Sequence, residues 1–357
     1  MAGQNQLRSG KNADVEPREF FDLAHENFRS AVAFDRSYAQ DYNLAGFSVR
    51  IEFSSQELFA RLGRAFSHLK FSIPDNAVDL RICVWDSSQT KMISPPWSQE
   101  AYGPRGEIHG FNTELFQSAF DHGSQSLSII DHEWGMALFW CRNANDLAVY
   151  EIGAPLRTIL SWFLQQHDAL LLHAGAICVN GRGALLAGAG GAGKSSTALL
   201  CLKAGGYYLA DDYCGFRQND GLPIYSIYSS AKISGRWLIR VRELRDLEQA
   251  ASLRHNEKRL FFMNELIPGQ VERSCPCHVL FLPRISNDDE TTVEPATSAE
   301  ALRALAPSSI FQSAGAGVIA FRRISELVQK APARWLNLGR DTSRIADEIA
   351  RCLDGLP

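Results

Sequence analysis

Residues 47–53, FSVRIEF, alternate apolar and polar side chains without a break, the period of a strand with one buried face. The period then changes. After Ser54 and Ser55, the apolar residues Leu58, Phe59, Leu62, Phe66 and Leu69 recur at three- and four-residue steps, so 56–69 reads as an amphipathic helix. Ser55 with Leu58 is not a full capping box, which leaves the helix start open. Short apolar runs follow at 79–85, 126–130, 135–140 and 147–152, separated by Gly, Asn, Pro and Ser. Together these predict a smaller α+β domain over 16–153, behind a polar tail at 1–15. Pro95-Pro96-Trp97 and Tyr102–Gly106 read as exposed loops. His132 and Glu133 stand without the second His that a HExxH zinc site needs, so both are read as structural.

The second half, 154–357, has a different rhythm. Leu156, Ile159, Leu160, Trp162, Phe163 and Leu164 give a helix within 154–166. Residues 169–179 then form a buried strand pair or one bent strand, carrying His173 in its middle. Asn180-Gly181 marks a tight hairpin turn, and 183–187 is the next strand. A helical run continues to Lys203, Gly205-Gly206 closes it as a C-cap, and 207–210 is a short strand ending at Asp211-Asp212.

Composition narrows the class. A chain of 357 residues suggests two domains at about 150 residues each, and 45% hydrophobic with 21% charged residues is globular. A net charge of -4 gives no basic field for nucleic acid. The polar start MAGQNQLRSGKNADVEPREF lacks a signal peptide's apolar core, and no apolar run is long enough for a bilayer span. A soluble cytoplasmic protein with no membrane partner is expected. Eight cysteines do not make a disulfide framework in so long a chain. Cys83, Cys141, Cys178, Cys201, Cys214 and Cys352 are read as free buried thiols. Cys275 and Cys277 lack a second ligand pair, and no zinc is assigned.

The chemistry lies at Gly188-Ala189-Gly190-Gly191-Ala192-Gly193-Lys194-Ser195, which satisfies GxxxxGK[ST] between a strand and a helix. Glycines let backbone amides close around phosphate oxygens, and the helix N-terminus adds partial positive charge. Lys194 is then expected on the β- and γ-phosphates, with the Ser195 hydroxyl on Mg²⁺ and Ser196 completing the loop's contacts. Asp211 follows Lys194 by 17 positions, at the end of the next strand. That places an acidic pair beside the loop: one carboxylate for Mg²⁺, the other for the proton of an attacking hydroxyl.

The segment LLHAGAICVNGRGALLAGAGGAGKSSTALLCLKAGGYYLADDYCGF, with weaker similarity onward through LAPSSIFQ at 305–312, resembles the C-terminal kinase domain of HPr kinase/phosphorylase. The resemblance implies an α/β fold: a P-loop domain with a mixed sheet and flanking helices, using ATP and Mg²⁺. It implies His173 near the active site, Asp211 activating the acceptor hydroxyl and Asp212 near the metal, with the two Asp roles exchangeable. Lys232, Lys258, Arg259 and Arg284 are basic residues that can neutralise a transferring phosphoryl group. Ser196 stands where the family usually has Glu, the glycine-rich segment tied to the phosphorylase reaction is not recognisable, and the first half differs from the usual regulatory domain. The overall form is more similar to HPr-kinase-like enzymes that phosphorylate a serine of a lasso-peptide precursor. The expected partner is therefore a peptide or small protein, with a homo-oligomer left open.

The rivals are a P-loop NTPase switch, a nucleotide-binding module without activity, HPr serine kinase itself and a carboxykinase-like enzyme. No NKxD and no LSGGQ segment is present, which counts against GTPase and transporter readings.

Overall fold

The computed structural model describes residues 16–34, 37–74, 77–88, 99–218, 221–240, 253–255, 258–311 and 317–356. The tail at 1–15, the loop at 95–97 and Gln312 lie outside them. The fold is mixed α/β, with mixed sheets and flanking helices.

The alternation of FSVRIEF is realised: Phe47, Val49, Ile51 and Phe53 are all buried while their neighbours are half-buried. The strand lies in a six-stranded sheet, antiparallel to Tyr38–Leu44 and parallel to Leu80–Asp86. Met136–Cys141, Ser126–Asp131 and Phe116–Asp121 complete that sheet in this order. Pro17–Phe34 is a helix that lays Phe20, Phe21 and Phe28 against one face, over Trp85 and Trp140. The other face packs on a helix at Arg157–Gln166 and shares its core with Tyr213, Tyr228 and Phe262 from the second half.

The helical period over 56–69 splits in two: an α-helix at Gln56–Leu62 and a 3₁₀ segment at Gly63–Leu69. Ser55 Oγ caps the first, accepting from the Leu58 N–H at 3.3 Å. The run at 147–152 contains a short helix, Val149–Gly153, rather than a strand.

The second half builds a nine-stranded sheet. Tyr207–Ala210, Gly175–Val179, Arg182–Leu186 and the long strand Ser274–Ile285 lie side by side, followed by Pro223–Ser226, Cys214–Arg217 and Ala169–Leu172. Ala333–Leu338 runs parallel to the far half of the long strand, and Thr292–Ala296 pairs with it. The expected Asn180-Gly181 hairpin is present, with φ of +52° and +76° joining Val179 to Arg182. A three-stranded sheet, Ser230–Ser234, Lys258–Phe262 and Leu253–His255, lies beside it. Helices Ser298–Phe311, Val318–Lys330 and Ile345–Asp354 flank the large sheet. Arg323 ties one of them down: its guanidinium donates to the carbonyls of Gln165 and Ala169 at 2.9 and 3.0 Å. Among the described residues no helix is long and apolar enough to cross a membrane.

Two cysteine expectations are corrected, the smaller being that Cys352 is free but only half-buried. Cys178 is not a free thiol but is joined to Cys275 by a disulfide. Sheet register brings them together: Cys178 pairs with Gly183, and Pro276 and Cys275 pack over that glycine, where any side chain would intrude. Cys277 is buried, and burial pushes its thiol up to about 12.

Glu151, on the short helix Val149–Gly153, is one of the fold's costly residues. It is 8% exposed, and burial holds its carboxyl at about 7 against an ordinary 4.5. Above pH 4.5 the unfolded chain releases this proton and the folded chain keeps it, so stability falls as pH rises to about 7 and then levels. At 1.36 kcal/mol per pH unit the loss is about 3 kcal/mol. Urea unfolding across pH 4–8 is expected to show this fall in the wild type, with Glu151→Gln lacking that part of it.

Candidate functional site

Arg182–Leu186 is buried along its length beside the parallel strand Ser274–Ile285, and the pairing ends with the Ala187 N–H donating to the Phe281 carbonyl at 2.9 Å. The chain then leaves the sheet at Gly188. Gly191 and Gly193 take φ of +83° and +106°, the left-handed region that favours glycine. At Gly193 the requirement is doubled, because a Cβ there would overlap Leu338 Cδ1. The helix Lys194–Lys203 starts at once, with no side chain capping its first turn. Its free N–H groups carry the positive end of the helix dipole toward the loop. The amides of Gly190, Gly191 and Gly193 have no hydrogen-bond partner among the described residues. Gly190 and Gly191 face open space. This is a cradle of donors with nothing in it from the chain itself.

Lys194 is buried, 7% exposed, and its Nζ donates to the carbonyls of Gly188 and Ala189 at 2.7 and 3.1 Å. Burial lowers its pKa, against the pull of Asp212 and Asp211.

The acidic pair sits beside this cradle because Tyr207–Ala210 runs antiparallel to Gly175–Val179, the strand before the loop hairpin. The two carboxylates differ sharply. Asp211 is 2% exposed; its Oδ2 accepts the Lys232 N–H at 2.6 Å, and its Oδ1 is buried without a hydrogen-bond partner. Burial and then the Asp212 charge push its pKa up, while the Lys232 N–H and the Ser195 hydroxyl pull it down. Asp212 turns the other way and pairs with the Lys232 ammonium at 2.6 Å. Burial opposes its charge, but Lys232, His173 and Lys258 outweigh this and hold it below the usual carboxylate range.

Lys194, Ser195, Asp212, Lys232, His173 and Tyr213 line one cavity of about 340 Å³, together with Trp237 and Lys258. His173 lies between two strands, its N–H donating to Ser309 Oγ at 3.0 Å and its ring 5.0 Å from that of Tyr213. Burial pushes its imidazole down to about 4, so it is neutral near pH 7.

Most residues singled out in the sequence meet here: Gly190, Gly191, Gly193, Lys194, Ser195, Ser196, Asp212, His173, Lys232 and Lys258. Asp211 stands behind the wall. Gly188, Ala189 and Ala192 line a second cavity of about 610 Å³ on the other side of the loop, with Leu282, Pro283 and Trp335. Two residues fall elsewhere. Arg284 hydrogen-bonds Asn337 and Glu294 and covers Trp335, and Arg259 donates to the carbonyl of Lys258. Tyr213 and Trp237 had no motif to announce them, although Tyr213 directly follows the acidic pair.

A divalent cation fits these residues. The Ser195 hydroxyl lines the cavity and the orphaned Asp211 Oδ1 is buried behind it; both are hard oxygen donors, and Mg²⁺ uses few protein ligands beside phosphates and water.

No family model matches the chain, and no curated protein matches it. Among solved structures the chain is similar to the HPr(Ser) kinase/phosphatase from Coxiella burnetii, at 12% identity, over 51% of this chain and 95% of that one, with a TM-score of 0.30.

Proposed function

We propose that the chain is a kinase that binds Mg–ATP on the loop 188–195 and transfers the γ-phosphoryl group to a hydroxyl of a peptide or small protein. One observation carries this reading: the glycine cradle, the Lys194 ammonium and the Asp212 carboxylate face a single cavity. A carboxylate beside the cradle supplies what an incoming hydroxyl requires.

In this reading the acceptor oxygen attacks the γ-phosphorus, the bond to the β-phosphate oxygen breaks, ADP leaves and the hydroxyl proton passes to Asp212. Asp212 is the better proton acceptor because it reaches the cavity, whereas Asp211 is buried behind it beside Ser195. That exchanges the roles first expected for the pair. The low pKa of Asp212 suits a loose transition state, in which the proton moves late and positioning dominates. Lys194 and Lys232 neutralise charge on the transferring group. Ser195 and Asp211 would hold Mg²⁺, which would supply neutralising charge for the phosphates. Neutral His173 orients the acceptor rather than serving as a cation.

The finer assignment is a serine acceptor, with a lasso-peptide precursor as the class to which the sequence resemblance points, in the cytoplasm where ATP is supplied. The test is incubation with Mg–ATP and a set of serine-bearing peptides, including such precursors, followed by mass spectrometry and ADP measurement. The expected result is ADP formation that depends on the peptide, with a gain of one phosphate. ATP turnover at the same rate without peptide overturns the reading in favour of an NTPase. Binding of ATP without turnover for any peptide reduces the chain to a binding module.

A further inference from the structure

A separate cavity of about 340 Å³ opens between the six-stranded sheet and the segment carrying Glu151 and Arg157. Its floor holds Ser126 and Ser128, both buried, and its apolar wall is Phe120, Phe139 and Leu156. Two ionisable groups inside it are left unfinished. Glu151, more than nine-tenths buried, makes no hydrogen bond or ion pair among the described residues. Arg157 spends Nη1 on the Tyr213 hydroxyl at 2.9 Å, and its buried Nε has no partner. Buried polar groups are almost always satisfied, so such a pair facing one enclosed space points to a ligand that completes it.

The charges restrict what that ligand is. Above about pH 7, where Glu151 is ionised, an anion such as phosphate would meet its charge and that of Asp121; a simple cation would meet Arg157 and Arg105. A molecule bearing both signs meets neither repulsion. We propose that this cavity is a second binding site, for a zwitterion of amino-acid size whose ammonium group faces Glu151 and whose carboxylate faces Arg157. The inference goes beyond the kinase reading and stands without it. Because Tyr213 also lines the loop cavity, a single hydrogen bond from Arg157 links the two sites.

The test is calorimetry and thermal shift of the full chain with each of the proteinogenic L-amino acids, and with inorganic phosphate as a comparison. At least one amino acid is expected to bind saturably at one site per chain. Glu151→Gln is expected to weaken it by about tenfold or more, the loss of one charged hydrogen bond. Circular dichroism checks that the variant folds; if it does not, Ser128→Val, which fills the floor, must abolish the binding instead. No saturable binding of any amino acid overturns the proposal, as does binding unchanged in the folded variants. Phosphate binding at the Arg157 side without any amino acid binding overturns the zwitterion chemistry.

Discussion

Lys194→Ala is expected to cut kcat/KM for phosphoryl transfer by about a thousandfold or more, while the chain stays folded. A thousandfold is about 4 kcal/mol of transition-state stabilisation, the scale reached when one charge aimed at developing phosphate charge is removed from a shielded site. Lys194 is placed for that role: its ammonium is buried under the loop and faces the same cavity as Asp212. Without nucleotide it spends its protons on the carbonyls of Gly188 and Ala189. Those carbonyls sit in a loop whose neighbouring glycines are exposed, so water replaces the lysine at small cost. Stability measured by urea unfolding should therefore move by less than about 1 kcal/mol, well short of the catalytic loss. Transfer at a near-normal rate in this variant would remove the loop from the chemistry altogether.

The loop was legible because its chemistry is local. Glycine at 188, 191 and 193 answers to backbone angles and to the approach of Leu338, and the Lys194–Ser195 pair opens the helix that follows. The strand at 47–53 was equally plain, since alternation alone decides which face is buried. What the sequence withheld depends on long-range register. Lys232 enters the site because Ser230–Ser234 passes beside Asp211, and no local pattern records that one N–H and one ammonium of the same residue would serve two neighbouring carboxylates. Arg157 and Tyr213 lie 56 positions apart and meet in one hydrogen bond. The disulfide was missed for the same reason: Cys178 and Cys275 are 97 positions apart and meet across a glycine. The helix at 56–69 failed differently. Its period was right, but Gly63 packs against the Phe59 ring and Tyr42 where the α-helix gives way to 3₁₀ geometry.

The acidic pair gives the second large effect, and its two members should fail in different ways. Asp212→Asn is expected to lower transfer by a thousandfold or more with Mg–ATP affinity nearly unchanged. The amide keeps the side chain's shape but cannot take a proton, and the Lys232 ammonium loses the partner that holds its pKa up. Asp211→Asn should act on the metal. Its Oδ2 position can still accept the Lys232 N–H, but the charge beside Ser195 is gone, so the Mg²⁺ concentration for half-maximal rate should rise about tenfold or more. The pair of titrations separates the roles: a kcat loss without a metal shift for Asp212, a metal shift rescued at high Mg²⁺ for Asp211. Opposite outcomes would return the proton to Asp211. Near-wild-type transfer in both variants would leave the carboxylates as structural partners of Lys232 and remove them from the chemistry.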